Sequence, residues 1–400
     1  MVIKMNKIGV VSCYFQMNYG SMIQALATQM ALDKLGYENE TINISGINKE
    51  IKRAKIKYFI KASLSSDILL SKAGMAKNVL RKNFSNSDYS KNSELRKQEF
   101  ISFYNSNFRL SKQLSSINEL SDYVSKQYSA VVVGSDQLWL PGNIAADFYT
   151  LNWVPDSVNK ISYATSFGQS VLPKDSAKKA EVFLKRINHI SVREESGQNL
   201  VKTIADRNVP VVCDPTLLFT GEEWLSIQKK EPIINEPYIF VYFLGNNPPH
   251  REFVNRLKEM TGLKIVALIH LDEFIKSDEG YADYTPYNID PSDFLNLIRN
   301  ASYICTDSFH CSVFSMQYEK EFFAFRRYTR KTASSTNSRL DTLFNLAGID
   351  NRILSGDEEI NECLQRKIDY SIVNNNLNSI RTKSYDYLRT ALSDERNTDL

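Results

Sequence analysis

The feature that most constrains this chain is a short apolar run that passes through a polar turn into a segment of helical period and then into a second apolar run. Ile8 to Ser12 is strand-like, and Gln16-Met-Asn-Tyr-Gly-Ser21 is a turn. Met22, Ile23, Leu26, Met30 and Leu32 then recur at helical spacing until Gly36 ends the helix and Tyr37 to Ile44 reads as the next strand. Strand, helix, strand in that order predicts parallel pairing through a crossover, and hence an α/β fold. The pattern restarts further on: Tyr238 to Leu244 is strongly β-prone, His250 to Met260 has helical period, and Lys264 to Ile269 is a strand. Lys229 to Pro237 is polar and proline-rich, which puts a linker at 220 to 236. With 400 residues, more than one ordinary core organises, the expectation is an N-terminal domain over 1 to 220, a C-terminal domain over 237 to 375, and a helical stretch and tail over 376 to 400.

In an open parallel sheet, ligands bind at the turns that leave the carboxyl ends of the strands. Four such turns stand out. The turn after the first strand offers Asn18, Gly20 and Gln24, either as site residues or as a polar turn shaped for backbone geometry. The buried run Ala130 to Val133 leads into Gly134-Ser-Asp-Gln-Leu-Trp139, a second crevice element. Ile190 to Val192 ends at Arg193, suited to a bidentate grip on a carboxylate or phosphate, or to a surface ion pair with Glu194 or Glu195. Val211 to Cys213 reads as the last strand of the first half. The fourth turn follows Ser302 to Cys305, where Thr306, Asp307 and Ser308 are cap-type residues opening a helix that carries Val313, Phe314 and Met316. His310 falls in its first turn. There it can meet an anion held by free N–H groups and the helix dipole, or serve as a packed core residue. After a strand at Glu321 to Phe325, Arg326-Arg-Tyr-Thr-Arg-Lys331 supplies cations able to face the same anion, and a helix is expected over Ser338 to Ala347. No dinucleotide or phosphate-loop glycine fingerprint occurs.

Charge is uneven. Lys49 to Lys97 carries thirteen Lys or Arg against four Asp or Glu, while the whole chain is only +3. Ile60, Leu64, Ile68, Leu69, Met75, Val79 and Leu80 interleave with those bases, predicting basic amphipathic helices over about 49 to 115. These are suited to an anionic membrane or a lipid-pyrophosphate carrier, or they form a solvated excursion. Nucleic acid is not expected, because the basic character is confined to one segment without a recognition motif. No uncharged apolar run is long enough for a bilayer and no signal peptide is evident, so a cytoplasmic protein is expected, at most peripheral to the inner face of the membrane. Five scattered cysteines fit reduced thiols, with no metal spacing.

Six blocks in order resemble the polysaccharide pyruvyl transferase family: Asn18-Tyr-Gly-Ser-Met-Ile-Gln24, Val133-Gly-Ser-Asp-Gln-Leu-Trp139, Tyr163-Ala-Thr-Ser-Phe-Gly168, Ile190-Ser-Val-Arg-Glu194, Asp214-Pro-Thr-Leu-Leu218 and Thr306-Asp-Ser-Phe-His310. The resemblance implies two Rossmann-like domains facing across a cleft, similar to GT-B glycosyltransferases. It also implies transfer of the pyruvyl group of phosphoenolpyruvate to a sugar, with phosphate released and no metal or other cofactor. His310 and Arg193 fall on the family's histidine and strand-end arginine. On this reading His310 supplies a proton and Arg193 holds the donor, helped by Asp307, Ser308, Arg326, Arg327 and Lys331. Asn18, Tyr19, Gly20, Gln24, Ser135, Asp136, Gln137 and Trp139 line the acceptor side, with Trp139 stacking on the sugar. One position departs from the family: Cys311 stands where glycine is common, and its side chain is expected to narrow the approach to the ligand. A nucleotide-sugar glycosyltransferase and a non-catalytic glycan-binding protein are the alternatives.

Overall fold

A computed structural model of the chain describes residues 7–62, 87–270, 275–278, 280–327 and 338–393. The first half runs β1 (Lys7–Val11), α1 (Tyr19–Lys34), β2 (Glu38–Thr41), α2 (Asn48–Ala62), α3 (Ser87–Asn107), α4 (Ile117–Gln127), β3 (Ala130–Val133), α5 (Pro141–Ala146), β4 (Asn159–Thr165), α6 (Lys174–Arg186), β5 (His189–Val192) and α7 (Glu195–Ala205). The second runs β6 (Tyr238–Tyr242), α8 (Pro248–Thr261), β7 (Lys264–Ala267), α9 (Pro291–Asn300), β8 (Tyr303–Thr306), α10 (Phe309–Gln317), β9 (Glu321–Phe325), α11 (Ser338–Ala347), β10 (Ile353–Leu354), α12 (Ile360–Gln365) and α13 (Tyr370–Ser393).

Each half is built on a five-stranded sheet, ordered β2-β1-β3-β4-β5 and β10-β9-β8-β6-β7, and every strand pair is parallel. The α/β class with two parallel-sheet domains is therefore as expected. Helices cover the sheets, so the inner strands are buried on both faces rather than alternating: all four residues of β3 and all seven of β4 are buried. Lys160 on β4 is tolerated inside because its Nζ reaches the exposed Asp156 carboxylate at 2.7 Å and the Pro155 carbonyl at 3.2 Å. In the second half, Asp290 and Asp293 form a capping box ahead of α9 with Pro291 at its first position, which fixes where the chain turns into β8.

Val211 to Cys213 is not a strand. Pro210 supplies no N–H, and the segment makes a single bridge from Val211 to Val192 before Asp214 opens a 3-10 turn over Pro215–Leu218. Of the helical segment expected over 49 to 115, α2 and α3 are described, while residues 63 to 86 lie outside the described residues.

The halves are tied together at several points. Tyr19 on α1 stacks on Phe294 of α9 and donates to the Ile289 carbonyl, and Arg96 of α3 donates to the Ile269 and Pro286 carbonyls. The long helix α13 returns to the first half: Tyr387 donates to the Ser162 carbonyl on β4, and Ser384 Oγ accepts the Cys213 N–H. No helix among the described residues is long and apolar enough to cross a membrane.

Candidate active site

The turns leaving the carboxyl ends of β1, β3, β6, β8 and β9 converge on one cavity of about 420 Å³ between the two sheets. The first half contributes Asn18, Ser21, Asp136, Gln137 and Asn143, and the second contributes Leu244, Ser308, His310, Arg327 and Arg339. Lys55 and Phe59 of α2 close one side, which brings the basic segment to the cavity itself.

His310 is the second residue of α10. Ser308 caps that helix by accepting the Cys311 N–H at 3.4 Å, and Thr306 Oγ1 accepts the Ser308 N–H at 3.0 Å, so the strand-to-helix corner is locked from both sides. The imidazole packs edge-on to Phe309 and its Nε2 stands 3.5 Å from Asp214 Oδ2, an electrostatic contact rather than a hydrogen bond. The other ring nitrogen lies against Gly20. A Cβ at position 20 would fall 2.2 Å from His310 Nδ1, so α1 meets α10 here only because residue 20 has no side chain.

Behind His310 is a buried charge cluster. Arg193 Nη1 donates to Asp214 Oδ2 at 2.6 Å, Ser135 Oγ donates to the same oxygen at 3.0 Å, and Thr216 donates its N–H and hydroxyl to Oδ1. Asp136 sits 3.7 Å from Arg193 and 4.0 Å from Arg339, and accepts from Ser21 Oγ at 2.6 Å. Its backbone is left-handed, with φ 78°, a strained conformation for a residue with a Cβ and one that recurs at functional turns. Burial alone would raise the Asp214 carboxyl, but His310 and Arg193 outweigh it and hold it far below the carboxylate range. Asp136 is held down in the same way by Arg193, His310 and Arg339. Glu194, which accepts from Ser166 Oγ at 2.6 Å, is raised because its burial outweighs Arg193. Arg339 is lowered to about 10, first by burial and then by Arg193.

Asn18, Asp136, Gln137, Ser308, His310 and Arg327 thus line one cavity, as the turn positions suggested. Arg193 does not. It is 4% exposed and committed to Asp214, with Asp136 and Glu194 close by, so the expected direct grip on a ligand is corrected to support of the carboxylates behind His310. Trp139 is corrected too. It is fully buried against Phe167 and Phe183, and its indole donates to the Tyr149 carbonyl, leaving no face for a sugar. Gln24 and Ser135 are buried behind the cavity wall. Asp307 spends its two oxygens on the Leu244 and Gly245 N–H groups and so holds the β6 turn. Arg326 points outward to Asp341 at 2.6 Å. Tyr19 borders a second, smaller cavity, and Lys331 lies outside the described residues.

Cys311 turns into the core, fully buried, with its thiol pushed up to about 12 by that burial; it does not line the cavity and does not narrow it. Asp214, Arg339 and Lys55 are site residues that sequence reasoning passed over. Asp214 had a signal in its Asp-Pro-Thr block, and Lys55 lay inside the basic segment, whereas Arg339 had none, since it reaches the cavity only through the placement of α11.

Fold and site together define a two-domain α/β protein with a cationic cleft at facing strand ends. The chain belongs to the polysaccharide pyruvyl transferase family, a family of transferases, whose sequence pattern matches residues 18–327. No curated protein sequence matches it. Among solved structures it is similar to a UDP-GlcNAc 2-epimerase from Methanocaldococcus jannaschii in complex with UDP-GlcNAc and UDP (14% identity, 97% of this chain and 99% of that one, TM-score 0.49). It is also similar to a glycosyltransferase from Rickettsia africae (10% identity, 98% and 100%, TM-score 0.47).

Proposed function

We propose that the protein transfers the pyruvyl group of phosphoenolpyruvate to a sugar of a surface polysaccharide or its lipid-linked precursor, forming a pyruvate ketal and releasing phosphate. The observation that carries this reading is His310 in the first turn of α10, sharing one cavity with Arg327, Arg339 and Lys55. Phosphoenolpyruvate presents a phosphate and a carboxylate flanking an enol carbon. Three cations and a helix N-terminus suit the two anionic groups.

The terminal carbon of the donor must take a proton before a hydroxyl attacks its neighbour. His310 Nε2 is turned to Asp214 at 3.5 Å, so on this reading Nδ1, beside Gly20, is the atom that exchanges a proton with the ligand. Arg193 keeps Asp214 ionised and in place, so its part is positioning. A lipid-linked acceptor at the cytoplasmic face of the membrane fits α2, which sends Lys55 and Phe59 to the cavity and leaves Lys52, Arg53 and Lys57 exposed.

The test is phosphate release from phosphoenolpyruvate by the purified protein with a panel of sugar acceptors, run beside His310→Ala. The reading expects acceptor-dependent release that the variant loses. Thermal protection by a nucleotide sugar, with no protection by phosphoenolpyruvate, would replace it with a glycosyltransferase reading.

A further inference from the structure

Beside the main cavity, and sharing Asn18 and Leu244 with it, lies a second one of about 200 Å³. It is smaller than the ~300 Å³ and upward of a drug-sized ligand's pocket, which suits a single sugar ring. Tyr19, Phe100 and Tyr242 border it, buried and packed on one another, and give it a rigid apolar wall.

Two polar groups in it are buried and without a hydrogen-bond partner among the described residues. One is a donor, Arg96 Nε, on a guanidinium whose Nη atoms are already given to the Ile269 and Pro286 carbonyls. The other is His270 Nε2. Its role is set from behind. His270 Nδ1 is 2.8 Å from Asp278 Oδ2, and Arg251 Nε donates to Asp278 Oδ1 at 2.9 Å. Burial alone would raise Asp278, but His270 and Arg251 outweigh it and keep it an anion. An ionised carboxylate accepts only, so Nδ1 carries the proton of the neutral ring and Nε2 presents a lone pair. A buried acceptor and a buried donor left open in one aromatic-walled pocket match two hydroxyls of one sugar, and unpaired groups of this kind are costly unless a ligand completes them.

Resting on the pyruvyl-transfer reading, we infer that this second cavity holds the acceptor sugar and that His270, positioned by Asp278, takes the proton of its attacking hydroxyl. In the first step a sugar oxygen bonds to C2 of phosphoenolpyruvate. Its proton goes to His270 Nε2, while C3 takes a proton from His310 and becomes a methyl group. In the second, a neighbouring hydroxyl bonds to the same C2 as the C2–O bond to phosphate breaks, and the proton of that hydroxyl leaves with the phosphate. Exchange with water resets the two imidazoles. Of the two hydroxyl protons, one is then accounted for on the methyl group and one on phosphate, and nothing is oxidised or reduced.

The experiment compares wild type, His270→Ala and Ser93→Trp with phosphoenolpyruvate and whichever methyl pyranoside supports the fastest phosphate release by wild type. Ser93 borders this cavity and not the main one. His270→Ala is expected to lower kcat by ~10² to 10³-fold, to keep its thermal protection by phosphoenolpyruvate, and to regain turnover with added imidazole. Ser93→Trp fills the cavity while leaving His270 and Asp278 themselves in the chain, and is expected to raise the acceptor KM at least ~10-fold with the donor KM unchanged. A His270→Ala protein with wild-type kcat, or a Ser93→Trp protein whose acceptor KM does not move, overturns the inference while leaving pyruvyl transfer standing. A wild type that releases no phosphate with any acceptor overturns the functional reading itself.

Discussion

Gly20→Ala is the most exacting perturbation the site offers, because one methyl group tests the placement of His310. The added Cβ would lie 2.2 Å from His310 Nδ1, 2.4 Å from Cγ and 2.7 Å from the histidine's own Cβ, whereas ordinary contact begins near 3.4 Å. The difference between 3.4 and 2.2 requires the ring to retreat by about 1.2 Å. It cannot simply slide, since Phe309 packs on one side and Asp214 stands 3.5 Å from Nε2 on another. A misplacement of ~1 Å in a positioned catalytic group costs ~10²-fold in rate. Overpacking a buried contact costs ~1 to 3 kcal/mol of stability. The expectation is a fall in kcat of ~10²-fold in the phosphate-release assay, with a folded protein and a lowered melting temperature. Gly134→Ala is the control, because its added Cβ meets nothing closer than Thr28 Oγ1 at 3.4 Å. A Gly20→Ala enzyme with wild-type kcat would refute the placement of His310 against α1 and the role built on it.

Arg339→Gln should raise the donor KM by ~10-fold or more, the scale of a lost charged contact. In the wild type, donor affinity measured by calorimetry should weaken as pH rises toward 10.5, because burial lowers the Lys55 ammonium below that ordinary value and the cavity loses this cation first. Trp139→Ala should destabilise the fold by ~3 to 5 kcal/mol in denaturant titration, with acceptor KM unchanged in the folded fraction; a raised acceptor KM at full stability would restore Trp139 to the sugar site. His250, buried between Phe243 and Phe325, is lowered to about 4, first by burial. Between about pH 6.5 and 4 the unfolded chain therefore binds the proton that the folded chain does not, so stability falls on acidification across that window, by ~3 kcal/mol in all. The same titration of a His250→Phe variant should lose that part of the slope.

The sheets were legible because period and punctuation agree in this chain. Ala130 to Val133 and Ser338 to Ala347 take the expected bounds, and His310 lies in the first turn of its helix because Thr306 to Ser308 are cap-type residues. What stayed hidden was direction. A strand-end arginine can face a cleft or a neighbouring strand. Arg193 faces inward because Asp136 and Asp214, each remote from it in the chain, converge on it. Trp139 follows a crevice turn but is drawn inward by Phe167, Phe183 and the Tyr149 carbonyl, none adjacent to it in sequence. Arg339 and the Asp278–His270 pair reach their cavities only through folding of the second half, and no local spacing marks them.

The measurement that bears most directly on the account is the fate of carbon-13 placed at C2 of phosphoenolpyruvate, followed by NMR with the purified protein and its acceptor glycan. The account predicts a labelled quaternary ketal carbon on the glycan, phosphate released in equal amount, and loss of both in His310→Ala. Label that stays in phosphoenolpyruvate, or leaves as free pyruvate with the glycan unmodified, would contradict it.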